Sequence, residues 1–61
     1  MFENFLNKNV KVPYKDGKQY KIARGRFVDI NENFIKIEGD LGTIIINIKN
    51  VEKMGLMKEH E

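Results

Sequence analysis

The residues best suited to binding chemistry are two asparagines near the middle of the chain, Asn31 and Asn33. A carboxamide carries both a hydrogen-bond donor and an acceptor, so it can match the polar edge of an unstacked base. Single-stranded RNA exposes such edges, and aromatic side chains can stack on the base faces. Phe34 and Tyr14 are candidates for stacking, although such residues more often belong to a core. The other interpretation of the asparagines is turn formation, and the two roles are compatible.

Basic residues are concentrated in the first half of the chain. Residues 8–26 carry seven basic side chains and one acidic one, whereas residues 31–61 carry four basic and six acidic ones. A segment with a local charge of +6 could hold a polyanion, and Arg24, Arg26 and Lys49 could approach phosphates. The alternative is that the strands of a small sheet simply place their lysines on the solvated face.

Catalysis is not expected from this set of residues. The chain has no cysteine or serine, one threonine and one histidine, which excludes nucleophilic triads apart from unusual threonine or lysine variants. Asp29, Glu32, Glu38 and Asp40 lack a visible supporting group for acid–base work, and residues 59–61, Glu-His-Glu, could bind a metal only weakly. We therefore predict neither an enzyme nor a metal or cofactor site.

Length and composition indicate one small domain. A chain of 61 residues buries only about 60% of its unfolded surface. Without cysteine, self-assembly is the remaining common way to stabilise it. The first residues lack the features of a signal peptide, and no apolar run approaches the roughly 20 residues of a membrane helix. We expect a cytoplasmic protein that does not bind membranes.

The asparagines must be positioned by strands. Two runs rich in β-branched and aromatic residues, 27–30 and 34–37, flank them and predict a hairpin with an amide-rich tip. An earlier hairpin is predicted from the alternation of residues 10–14 and from a two-residue turn at Asp16-Gly17.

The second strand contains a change of phase. Tyr20 and Ile22 lie on one face, but continuing that phase would bury two arginines. The opposite phase, which includes Gly25 and Phe27, suits a core better. The sequence therefore predicts a bulge near residues 23–25 and a bend at Gly25.

The remaining segments complete a small sheet. Phe2, Phe5 and Leu6 have the spacing of one face of a short helix, which would cover one end of the sheet. Ile35 and Ile37 are predicted to point inward. After them we expect a turn and two strands, at residues 39–42, 43–48 and 51–54.

The isoleucine-rich strand predicts self-association. Ile45 lies off the inward phase, beside Asn47, and an open edge of this kind is an aggregation hazard. Pairing with residues 51–54 of a neighbour, which include Val51 and Met54, would cover the edge, and repeating that contact would close a ring.

A helix followed by five hairpin-connected strands resembles the Sm-like family, which includes the Sm, LSm and Hfq proteins. The first family motif, a glycine turn, a bent strand, a tip with aspartate and asparagine, and an apolar strand, is similar to residues 16–37. The second is similar to residues 46–51, Ile-Asn-Ile-Lys-Asn-Val. This chain has Asn47-Ile48 where the family has Arg-Gly, and no aromatic residue between Asp29 and Asn33.

The resemblance implies an all-β fold, namely a small, strongly bent, five-stranded SH3-like barrel with a short N-terminal helix over residues 1–54 and a tail over residues 55–61. It also implies a hexameric or heptameric ring that binds uridine- or adenosine-rich single-stranded RNA as a chaperone or scaffold. The residues expected to contact RNA are Asp29, Asn31, Asn33, Phe34, Arg24, Arg26 and Lys49. Those expected at the oligomer interface are Ile45, Asn47, Val51 and Met54.

Two other functions fit the same sequence. One is a monomeric basic SH3-like barrel that coats DNA with the surface of residues 8–26. The other is a barrel whose partner is another protein, with the absent arginine marking lost RNA binding.

Overall fold

The computed structural model describes residues 2–57, so the Glu-His-Glu run at residues 59–61 lies outside the described residues. The described part of the chain forms five strands and two 3-10 turns. The strands are β1 (Asn9–Asp16), β2 (Gln19–Ile30), β3 (Phe34–Gly39), β4 (Gly42–Asn47) and β5 (Gly55–Leu56). The 3-10 turns are Glu3–Phe5 and Ile48–Asn50.

The strands form one antiparallel sheet in the order β4-β3-β2-β1-β5, which confirms the predicted all-β, five-stranded architecture. The predicted closure into a barrel is not formed, because β4 and β5 are opposite edges and no ladder joins them within residues 2–57. The chain leaves β4 through a 3-10 turn, and Val51 makes only an isolated bridge to Tyr14 of β1. The last strand therefore comes later than predicted, at residues 55–56, and has only two residues.

The predicted N-terminal helix is a single 3-10 turn. So short a segment gains too few backbone hydrogen bonds to offset the cost of nucleating an α-helix. Asn7, at φ +68°, turns the chain toward β1, and its N–H donates to the Phe27 carbonyl over 2.7 Å. Phe2, Phe5 and Leu6 still pack against the core, as their spacing predicts. Within residues 2–57 the structure has no helix with the length and apolar character needed to cross a membrane.

One face of β1 to β4 supplies the core. Its members are seven buried apolar residues from these four strands: Val10, Val12, Ala23, Phe27, Ile35, Ile37 and Ile46. The inward orientation predicted for Ile35 and Ile37 is confirmed. Ile44 and Ile48 pack partly against the same cluster, as expected from the alternation along β4.

The irregularity of β2 lies later than predicted. Against β1 the register runs without a break from Asn9↔Arg26 to Asp16↔Gln19, so no bulge occurs near residues 23–25. The register shift lies against β3, between Phe27 and Asp29. Tyr20 and Ile22 consequently stay on the outer face of the sheet, where their side chains are exposed.

Gly25 allows β2 and β3 to approach closely. Its φ of +155° belongs to a region that favours glycine. A Cβ atom at this position would lie 2.8 Å from the carbonyl carbon of Glu38 and 2.9 Å from the Cα atom of Gly39, which are backbone atoms that cannot easily move. The sequence predicts a bend at Gly25, and the structure shows that glycine is needed there because β2 and β3 come into close contact. The first hairpin turn also differs by one residue: Asp16 pairs with Gln19, so the two turn residues are Gly17 and Lys18.

Candidate nucleic-acid interface

The tip between β2 and β3 is a three-residue connection, residues 31–33, held by Asn31. The Asn31 N–H donates to the Phe34 carbonyl over 3.0 Å. The Asn31 side-chain oxygen accepts from the N–H groups of Asn33 and Phe34, each over 2.8 Å. Asparagine is favoured at turns because it can make such local bonds. The oxygen of Asn31 is therefore committed to the turn, which leaves its Nδ2 group for an outside acceptor.

Asn33 differs from Asn31 in what its side chain does. Its backbone carbonyl accepts from the N–H of Ile48 over 2.8 Å, but its carboxamide makes no hydrogen bond within residues 2–57 and is exposed. Both the donor and the acceptor of this amide are consequently open to a ligand. Of the two predicted amides, Asn33 has the greater capacity to bind a base edge.

The second 3-10 turn lies against this tip. The bond from Ile48 to Asn33 joins them, and the Asn47 side-chain oxygen accepts from the Lys49 N–H over 2.9 Å. Lys49 is exposed on this turn. We call the combination of residues 31–33 and Ile48–Asn50 the tip end of the sheet. The structure thus brings together two segments that are far apart in sequence.

A shallow groove continues from the tip end across β3. Phe34, 43% exposed, lines it together with Asp29, Asn31, Lys36 and Ile45. Asp29 lies opposite Lys36 in the β2–β3 ladder. An exposed aromatic ring next to a cation offers a stacking surface and a phosphate partner in one place. Phe34 therefore suits base stacking better than Tyr14, which is half-buried and packs against the core.

Five of the seven predicted RNA-binding residues gather at or beside the tip end, and two do not. Arg26 lies in the middle of the sheet, opposite Asn9 of β1 and Glu38 of β3. Arg24 lies opposite Lys11, farther from the tip. Lys36 lines the groove but was not among the predicted residues. Its outward phase beside the tip was the sequence signal that could have identified it.

Charge is distributed differently from the amides. The tip end and its groove carry Lys36 and Lys49 but also Asp29 and Glu32, so acidic and basic groups balance there. The basic excess lies on the outer face of β1 and β2. Lys11 and Arg24 are directly opposite each other on that face. Like charges opposite each other destabilise a sheet unless an anion or solvent screens them.

One ion pair reduces this excess at the turn of the first hairpin. The Lys21 ammonium lies 2.7 Å from the Asp16 carboxylate. The hydrogen bond from Lys21 to Asp16, reinforced by the charge of that carboxylate, raises the pKa of Lys21 above its ordinary value of 10.5. Both side chains are about half exposed, so the pair adds little stability.

The residues predicted at an oligomer interface lie in two settings. Ile45 is 60% exposed on β4, which is an open edge of the sheet. The bond from Ile48 to the Asn33 carbonyl sets the alternation of the β3–β4 ladder, so the backbone N–H and C=O groups of Ile45 and Asn47 point away from β3. Val51 and Met54 instead pack against the core of their own chain.

The described residues form no metal centre, and the chain has no match among known proteins. No group of three or more histidine, cysteine, aspartate or glutamate side chains within residues 2–57 is placed to hold a metal ion. Comparisons of the chain with family models, with characterised proteins and with solved structures found no match. The function must therefore be argued from the geometry and from the resemblance of its motifs.

Proposed function

We propose that this protein is a homo-oligomer of the Sm-like type that binds single-stranded RNA at the tip end of its sheet. The observation that carries the proposal is the hydrogen bond from Ile48 to the Asn33 carbonyl. It joins the two segments whose sequences resemble the two Sm-like motifs. Exposed amide, aromatic and lysine groups then lie within one region, which is the combination that single-stranded RNA requires.

The sheet order supports self-assembly. Both β4 and β5 are edges, and β4 presents Ile45 with outward-pointing backbone groups. A neighbour's β5 could add to that edge by ordinary antiparallel pairing, with Leu56 as its exposed apolar residue. Each copy has one edge of each kind, so the contact is heterologous and closes into a ring if the rotation allows it. In this proposal the five-stranded sheet, unpaired between β4 and β5, is an open variant of an Sm-like barrel.

The mass of the particle tests the assembly. Light scattering at micromolar concentration should give six or seven copies, as the resemblance implies. Ile45→Lys should reduce the mass to that of one chain, because a charge on an edge strand opposes pairing. A monomeric wild-type protein would contradict the ring.

An RNA titration tests the site. Asn31→Asp with Asn33→Asp keeps the side-chain oxygen that holds the turn but replaces two amide donors with charged acceptors. We expect the variant to stay folded and to keep the particle mass of the wild-type protein. Its affinity for oligouridine or oligoadenosine should fall about tenfold or more.

The control is Lys53→Glu, a single change at an exposed lysine that alters the net charge by the same two units. Equal losses in the two variants would mean that only charge matters, and the tip assignment would then be wrong. An unchanged affinity in the tip variant would have the same consequence.

One observation favours a second candidate function, a DNA-coating protein. Lys11 and Arg24 face each other on a surface that duplex phosphates could cover. In this case duplex DNA would compete at least as well as single-stranded RNA. Lys11→Gln would then weaken binding more than the tip variant does.

A further inference from the structure

The first hairpin presents two large apolar residues, Ile22 and Tyr20, on the outer side of the sheet. Beyond Val12 and Ala23, the core face carries Tyr14, which packs against the core, and then Gln19 and the Asp16–Lys21 ion pair. On the outer face, Pro13 lies opposite Ile22 and Lys15 lies opposite Tyr20. The hydrophobic phase of the sequence changes near Ala23, but the backbone does not bulge there, so Ile22 and Tyr20 remain 49% and 68% exposed.

The β3–β4 turn adds to this apolar surface. Leu41, at the turn, is fully exposed. It lines a groove with Ile22 and Ile44, whose base includes the glycines Gly39 and Gly42. We call this the hairpin groove. It lies away from the amides of the tip end, and part of its lining, Gly42 to Ile44, belongs to the first half of β4, whose edge the proposed ring contact also uses.

The groove has basic surroundings. Arg24 lines it, and the neighbouring outer face and turn carry Lys11, Lys15 and Lys18. Asp40 is the acidic residue in its lining, and Glu38 lies opposite the lining residue Thr43 but also opposite Arg26. The carboxylate of Asp16 is engaged by Lys21 and so does not offset these charges fully. The surface therefore complements a ligand that is both apolar and acidic.

From this charge pattern and shape we propose that the hairpin groove docks a short peptide segment of another protein, with an aliphatic or aromatic anchor flanked by aspartate or glutamate. Aliphatic side chains line the groove, and they offer no stacking surface for bases. A concave site suits a protruding side chain better than it suits a flat bilayer, and Asp40 beside Leu41 opposes insertion among anionic headgroups. Cations around an apolar pocket favour the acidic flanks of such a peptide.

A selection from a random peptide library displayed on phage tests the proposal with the intact chain. Enriched peptides should share an apolar anchor next to acidic residues. A synthetic copy of the enriched sequence, labelled with fluorescein, then gives the affinity. Leu41→Asn should weaken binding about tenfold, because it removes an apolar contact that the bound peptide would bury. Leu41 is fully exposed in the free protein, so the substitution should leave the fold unaffected.

Two charge variants give the sign of the electrostatic contribution. Arg24→Gln should weaken binding severalfold and Asp40→Asn should strengthen it, while Lys53→Gln serves as the matched control for loss of one positive charge. The proposal would be overturned if the selection enriched no peptides or if the enriched peptides were neutral or basic. It would also be overturned if Leu41→Asn left the peptide affinity unchanged.

Other occupants would give different results. A fall in particle mass in the Leu41→Asn variant would show that a second copy covers the groove. Displacement of the peptide by oligonucleotides with loss of RNA affinity in Leu41→Asn would assign the groove to RNA, and binding to anionic vesicles but not to peptides would assign it to lipid. Each result would overturn docking of a peptide. Failure of the RNA proposal, read from the tip variant, would leave this one standing.

Discussion

The tip end and the hairpin end, by which we mean the β1–β2 hairpin beyond Val12 and Ala23, relate differently to the core. At the tip, β2 and β3 reach their turn while Ile35 is still buried, and backbone bonds join the turn to a second segment. In the hairpin end, Tyr14 still packs against the core, but its neighbours on that face are polar, and Ile22 and Tyr20 lie exposed on the outer face. Rigid attachment suits a site that must hold polar groups in place. A protruding hairpin with exposed apolar groups suits a surface that another molecule covers.

Gly25 lies between the two ends, and its replacement should have the largest effect. In Gly25→Ala, the new Cβ would meet the backbone of Glu38, and the φ of +155° would be strained. We expect a loss of roughly 2–4 kcal/mol in the free energy of unfolding. Urea denaturation gives this value. Gly55→Ala is the control, since a Cβ there meets nothing within 4 Å. Equal stability of the two variants would refute the close approach of β2 and β3.

A neighbouring pair of residues compares the core with the hairpin end directly. Val12→Ala should cost about 2 kcal/mol, because Val12 is fully buried. Ile22→Ala, one ladder step away and half exposed, should change stability by less than about 0.5 kcal/mol. Urea midpoints of both variants measure the difference. A large loss for Ile22→Ala would mean that its outer face is already covered in the free protein, for example by a second copy.

The two asparagines allow a similar comparison within the tip. Asn31→Ala removes the acceptor of two backbone bonds and should cost about 1 kcal/mol. Asn33→Ala should change stability by less than about 0.5 kcal/mol but should reduce RNA affinity more, because its side chain is free to bind. Thermal melts and RNA titrations of both variants test this separation. The reverse order of effects would exchange the structural and binding roles of the two residues.

Local patterns predicted β1 to β4 and the amide tip, because these depend on residues close in sequence, but they placed the last strand at residues 51–54 instead of 55–56. The alternation of Ile35 and Ile37 and the turn chemistry of Asn31 were sufficient for β3 and its turn. The same alternation failed at Tyr20 and Ile22, because it assumes that every apolar residue faces a core. The contact between Asn33 and Ile48 and the open edges of β4 and β5 depend on tertiary packing, which a pattern in one strand does not contain.

The Asp16–Lys21 pair should have the smallest effect on stability. It tests whether the polar groups on the core-facing side of the first hairpin stabilise the fold at all. Because its folded pKa is raised, Lys21 contributes stability below its unfolded pKa of about 10.4, and this contribution is lost as the pH rises through the folded value. A double-mutant cycle of Asp16→Asn and Lys21→Gln, measured by urea denaturation, should therefore give a small coupling at pH 8 that is lost as the pH rises through the raised pKa of Lys21. High salt at pH 8 should reduce the coupling too, since both side chains are about half exposed.

A coupling that persists at high pH would mean that the two side chains interact through packing rather than charge. The hairpin end would then be held more firmly than its exposed surface indicates.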